Sequence, residues 1–134
     1  VRDELQELAP GFEMPLASGP EEVTKDYIKT PRFQAGVPSL LRSMVHLPPN
    51  QETKLLIDVS ASPRYVWPLV VMAAGERLWE GPITKGKSLG GQKRQIEIDL
   101  TRFAGQTIPV ELYNFGTHSS SGSAIWHRIA VETK

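Results

Sequence analysis

Residues 81–88 read G-P-I-T-K-G-K-S, a full match to the phosphate-loop pattern G-x-x-x-x-G-K-[ST]. The chemistry implied is nucleotide binding. Backbone N–H groups cradle phosphates, the lysine reaches the β/γ oxygens and the serine holds magnesium. That chemistry needs a helix opening at the serine. Here Ser88 is followed by Leu89, Gly90, Gly91 and Gln92, and each glycine costs about 1 kcal/mol against alanine inside a helix. From Arg94 the chain alternates, with Ile96, Ile98 and Leu100 on one side and Gln95, Glu97 and Asp99 on the other, the period of a half-buried strand. A loop between two strands has no helix dipole to offer, so the favoured reading is a lysine- and glycine-rich surface loop.

Other catalytic chemistry has equally thin support. Asp58 and Asp99 each follow apolar residues, but both fall on the outward phase of alternating strands, where a solvated carboxylate is the ordinary outcome. His46, His118 and His127 are the only imidazoles, and their spacing matches no local metal-ligand motif. Ser119, Ser120 and Ser121 lie beside His118. A serine run between glycines reads as a flexible loop, whereas a nucleophile must be held against its base. With no cysteine in the chain, thiol catalysis, thiolate metal sites and disulfides are all excluded. No enzyme is expected, no metal site, and no cofactor; nothing indicates a structural calcium.

As for the elements that must position these side chains, 134 residues with 40% hydrophobic and 22% charged content suit one globular domain with a working core. No apolar run approaches the roughly 20 residues of a membrane-spanning helix. The formal net charge is zero, which predicts no nucleic-acid partner, but its distribution is uneven. Acids crowd the start (Asp3, Glu4, Glu7, Glu13, Glu21, Glu22, Asp26), while Lys85, Lys87, Lys93 and Arg94 form a run without one. The first residue is Val1 with no signal-like segment behind it, so an excised or processed piece of a larger protein is expected.

Residues 1–30 carry no sustained period and are punctuated by Pro10, Gly11, Pro15, Gly19 and Pro20, which predicts an arm or linker with one docked strand near residues 12–16. From Leu40 the pattern changes. LLRSMVHL alternates, PPNQET breaks it, and KLLIDVS resumes it: strand, turn, strand. WPLVVMAA is apolar on both sides, as a strand covered on both faces would be, and Ala74-Gly75-Glu76 suits a tight turn into RLWEGPI. Further strands are predicted near 94–100, 108–115 and 124–132. Many short strands with turn signals and little helix predict an all-β, antiparallel two-sheet β-sandwich over residues 31–134.

The run IEIDLTRFAGQTIPVELYN, together with LLRSMVHLPPNQETKLLIDVS, WPLVVMAAGERLWEGPI and AIWHRIAV, resembles the galactose-binding-like β-sandwich (jelly-roll) modules appended to large secreted planctomycete-type bacterial proteins. The resemblance covers about residues 38–132. Its most specific element, residues 99–106, is similar to the crossover VDLSxYAGK of that family. Physically, a strand ends at Leu100, Thr101 caps one helical turn, Phe103 plugs the open end of the core, and Gly105 takes a left-handed conformation. The resemblance implies a non-catalytic carbohydrate-binding-like module of an extracytoplasmic multidomain protein. The partners implied are a polysaccharide or glycan and neighbouring domains of the parent. The alternative is a structural or protein-interaction sandwich without a sugar site.

If consecutive strands alternate in direction, the connections at 61–66, 84–93 and 116–123 emerge at one end of the sandwich and the tight ones at the other. Loops on a rigid scaffold favour binding, so the ligand is expected at the long-loop end. The candidate ligand-binding residues are Arg64, Tyr65, Trp67, Lys85, Lys87, Asn114 and His118. Trp67 shares the phase of Leu69 and Val71, and so is also read as a core tryptophan; Trp79, between charged neighbours, is ambiguous. Trp126 is treated as core, out of phase with Ile129 unless a bulge intervenes. Arg64, Lys85, Lys87 and Lys93, converging at one end, would favour acidic glycans.

Overall fold

The structure, a computed structural model, describes residues 7–14, 22–30, 39–61, 66–84, 94–115 and 123–133. Among these, nine strands form two antiparallel sheets: β1 (Glu22–Val23), β2 (Ile28–Thr30), β3 (Ser39–His46), β4 (Thr53–Ala61), β5 (Trp67–Ala73), β6 (Glu76–Ile83), β7 (Arg94–Asp99), β8 (Thr107–Asn114) and β9 (Ala124–Thr133). One sheet runs β3-β8-β5-β6 and the other β1-β2-β9-β4-β7. The expected two-sheet β-sandwich is therefore present.

Alternation decides which side chains meet between the sheets. In β3, Leu41 and Val45 are buried while Arg42, Met44 and His46 face out. Leu55, Ile57 and Val59 of β4 face Ile96 and Ile98 of β7 across the register pairs Leu55↔Ile98 and Ile57↔Ile96. Each such side chain contributes roughly 1.5–3 kcal/mol on burial. A one-residue slip would send the whole set to solvent, so this pattern also fixes the register.

The anticipated bulge is present. Asp58 pairs Arg128 but Val59 pairs Trp126, leaving His127 as the extra residue. The bulge turns Trp126 inward, against Trp67, and both indoles are buried. The His127 ring Nε2 lies 2.7 Å from Ser60 Oγ.

The β5–β6 turn holds both Ala74 (φ 52°) and Gly75 (φ 79°) in the left-handed region, as a two-residue hairpin that follows the sheet twist requires. The β7–β8 connection contains a 3-10 turn at Thr101–Phe103, with Phe103 buried and Gly105 at φ 82°. Its cap differs from the expectation. Thr101 makes no side-chain cap; the Asp99 carboxylate accepts the Thr101 N–H (2.8 Å), and the Thr101 hydroxyl accepts the N–H of Thr53 (3.1 Å). Asp99 sits two residues earlier, where an acceptor-only side chain reaches an orphan N–H without a hydroxyl's competing donor.

Residues before 31 contribute to the sandwich. β2 pairs with β9, and Ile28 and Thr30 are buried. Ala9 and Phe12 belong to the core, and Glu13 makes a bridge to Arg42 on the edge strand β3 through two 2.9 Å backbone hydrogen bonds. Periodicity could not find these segments because a two- or three-residue strand spans too little of the period to show one.

Candidate functional site

The register places the strand ends as the alternation argument required. His46 pairs Thr107 and Thr53 pairs Thr133, so the turns at 47–52, 74–75 and 100–106 share one end. Ser39 pairs Asn114, Asn114 pairs Leu69, Trp67 pairs Ile83 and Ala61 pairs Ala124. The strands flanking 62–65, 85–93 and 116–122 thus all begin or end at the opposite pole.

Of the sequence-predicted contacts, Arg64, Tyr65, Lys85, Lys87 and His118 lie outside the described residues, as do Lys93 and the serines 119–121. Two others are corrected. Trp67 and Asn114 are both fully buried, on inward positions of β5 and β8, and neither presents a surface to a ligand. The Trp67 indole N–H donates to the Ser60 carbonyl oxygen at 2.9 Å, so its polar edge is consumed by the core.

The described surface at that pole carries one aromatic pair. Phe115 is 40% exposed and stacks on Tyr113, with centroids 4.9 Å apart and planes at 24°. The Phe115 N–H donates to the Pro68 carbonyl oxygen (3.0 Å), which anchors the backbone that carries the ring. Tyr113 donates to Glu111 Oε2 at 3.1 Å; burial, and then this carboxylate, raise its pKa above the ordinary phenol value. Val66, 37% exposed, stands at the same pole. Sequence reading passed over Phe115 because it is in phase with the solvent-facing residues of β8.

A recess lies on the flank of the sandwich, between edge strands β6 and β7. Leu78, Trp79, Glu97, Ile98, Asp99 and Arg102 line a volume of about 420 Å³. Trp79 is half-buried. Its indole passes over Gly81, where an added Cβ would meet Trp79 Cη2 at 3.0 Å. The Arg94 guanidinium lies 5.3 Å from the indole centroid and donates to the Pro82 carbonyl oxygen at 3.2 Å. Arg102 pairs with Glu76 at 2.6 Å. Glu97 faces Lys54 at 3.9 Å. Hydrogen bonding from Thr101 holds the Asp99 carboxyl below its ordinary pKa.

Catalytic geometry is weak among the described residues. Ser60 and His127 form a close Ser–His contact, but Ser60 is 5% exposed, which leaves its Oγ no approach for a substrate carbonyl. The His127 ring meets Tyr27 edge-on at 6.4 Å, and Tyr27 donates to Glu22 Oε1 at 2.6 Å, a bond that raises the tyrosine pKa. The chain Glu22–Tyr27–His127–Ser60 ties the short strands β1 and β2 to the bulge. No group of three His, Cys, Asp or Glu side chains suited to a metal ion occurs among the described residues. Nor does any described helix have the length and apolarity to cross a membrane.

No protein-family model and no curated protein matches the sequence. Solved structures do match. The secreted serine protease VesC from Vibrio cholerae aligns at a TM-score of 0.57 and 15% identity, over 97% of this chain and 26% of that one. The CBM35 from Paenibacillus barcinonensis aligns at 0.52 and 14%, over 92% and 90% of the two chains. The C-terminal CBM6 of LamC, a marine laminarinase from Zobellia galactanivorans, aligns at 0.51 and 17%, over 90% and 87%. The chain thus spans about a quarter of the protease but nearly the full length of the two CBMs. At such identities the similarity establishes a shared sandwich fold.

Proposed function

We propose that the protein is a non-catalytic glycan-binding module of a larger extracytoplasmic protein, with its ligand at the long-loop pole. The observation that carries this reading is the exposed Phe115 ring, stacked on Tyr113 at the pole to which the connections at 62–65, 85–93 and 116–122 return. Sugar C–H faces pack on flat rings, while polar loop groups take the hydroxyls. The fold shared with two structures named as carbohydrate-binding modules supports it. Lys85 and Lys87 belong to the connection between β6 and β7, which starts and ends at that pole, so the ligand class proposed is an acidic glycan.

Affinity electrophoresis against neutral and acidic polysaccharides tests the reading. Retardation by carboxylated or sulfated glycans, lost in Phe115→Ala and weakened in Lys85→Ser/Lys87→Ser, is expected. The effect should decline with salt, since exposed charges are screened over a Debye length of about 10 Å at 0.1 M. Absence of retardation by every polysaccharide would favour the alternative, a structural domain docked on its parent.

A further inference from the structure

We infer that the flank recess between β6 and β7 is a second binding site, separate from the long-loop pole, and that it takes a neutral, hydroxyl-rich ligand: one sugar unit of a short oligosaccharide. The two flanks of the sandwich are unlike. On the β3 side the chain's own arm fills the seam, with Ala9 and Phe12 in the core and Glu13 bridged to Arg42. On the β6–β7 side the described residues leave a recess of about 420 Å³, within the range of about 300–1,000 Å³ typical of small-molecule sites.

The lining chemistry selects the ligand. Trp79 supplies a flat apolar surface held on two sides, by the close approach to Gly81 and by the Arg94 guanidinium. Around it stand groups of both signs. Glu97 and Asp99 are acceptors; Arg94 and Arg102 are donors. Hydroxyl groups donate and accept at once, so a polyol satisfies both sets, and its C–H groups pack on the part of the indole that lines the recess. The local charges balance: Lys54, Arg94 and Arg102 against Glu76, Glu97 and Asp99. An anionic ligand would meet two carboxylates and a cationic one two guanidinium groups. Neither gains a net field, and both lose hydration.

The carboxylates keep capacity for such a ligand. Asp99 accepts the Thr101 N–H through Oδ1, and Glu97 makes only the long 3.9 Å contact with Lys54 among the described residues. Charge-assisted hydrogen bonds to sugar hydroxyls are stronger than neutral ones.

Titration with short neutral gluco-, galacto-, manno- and xylo-oligosaccharides, followed by tryptophan fluorescence, tests the site. Trp67 and Trp126 are sealed in the core, so a ligand-induced change reports Trp79. A saturable change with at least one series is expected. Because the reporter goes with the ring, Trp79→Ala is titrated by calorimetry, where binding should be lost. In Glu97→Gln, whose side chain lies on the solvent side, affinity should fall about tenfold, equivalent to about 1.4 kcal/mol. Gly81→Ala should weaken binding by displacing the ring while leaving it present. Should Trp79→Ala fail to fold, the Glu97 and Gly81 variants still decide. Lys85→Ser/Lys87→Ser should leave this binding unchanged, which separates the flank site from the long-loop reading. No fluorescence change with any neutral series, a response to acidic oligosaccharides alone, or full affinity in Glu97→Gln would each overturn the proposal.

Discussion

The indole rings of Trp67 and Trp126 lie 5.1 Å apart at 57° between the two sheets, one from each, toward the long-loop end of the core. Each N–H is satisfied locally: Trp67 donates to the Ser60 carbonyl oxygen and Trp126 to the Thr30 hydroxyl, both at 2.9 Å. The pair joins the two sheets and also ties in β2, through Thr30, and β4, through Ser60. Replacing Trp126 with alanine should cost about 3–5 kcal/mol, through lost burial and an unfilled cavity. Trp126→Phe should cost less but leave Thr30 without its donor. Urea unfolding of both variants, with near-UV circular dichroism as the probe of indole packing, measures the difference.

The β5–β6 hairpin carries removable strain. Ala74 sits at φ 52°, where an alanine Cβ crowds the following carbonyl oxygen, while Gly75 beside it tolerates the same region. Asn-Gly is the preferred sequence for a turn with both central φ values positive. Ala74→Asn should therefore stabilise the domain by about 0.5–1 kcal/mol, read as a raised urea midpoint with an unchanged slope. The side chain is exposed, so no contact is lost.

Much of the scaffold was written in the alternation of 40–47, 55–59 and 94–100, because a sheet with one wet face forces polar and apolar residues into a period of two. Trp126 was legible only through its misfit: out of phase with Ile129, it demanded the bulge that His127 supplies. The site was far less legible. Trp67 shares its phase with Leu69 and proved buried, whereas Phe115 has the solvent-facing phase and proved exposed. Asp99 looked like an ordinary solvated carboxylate, and Glu97 and Arg102 carried no signal of their own, since nothing along the chain shows that β6 and β7 face each other across a flank. The signal that could have been read is Trp79 itself, a large aromatic set between Arg77 and Glu80.

Phe12 tests the role of the arm. It is 1% exposed and part of the core although it precedes the first strand. Were residues 1–30 a detachable linker, its removal would change little. Phe12→Ala should instead cost about 3 kcal/mol or more. It should also loosen the Glu13–Arg42 bridge, seen as faster hydrogen exchange at the Arg42 amide, which donates to Glu13. Equal stability of the variant and the parent would make the arm a separable linker.

Asp99 predicts how the tight-turn pole responds to acid. Hydrogen bonds from Thr101 lower its pKa from the ordinary value of 3.8, the nearby Lys54 adding to the effect. The unfolded chain therefore binds its proton at a higher pH than the folded one, and stability rises with pH across that interval. The contribution is fully present above pH 3.8 and is lost as pH falls through the lower folded value. An asparagine in place of this carboxylate cannot titrate and is a weaker acceptor for the Thr101 N–H. The substitution Asp99→Asn should thus lower stability at neutral pH by an amount that stays constant down to about pH 5 and shrinks only in the acid limb. Urea midpoints of the two proteins measured across a pH series give this difference directly. A gap that widened as pH fell would mean that the folded state raises the Asp99 pKa, and that Thr101 does not hold the ionised carboxylate.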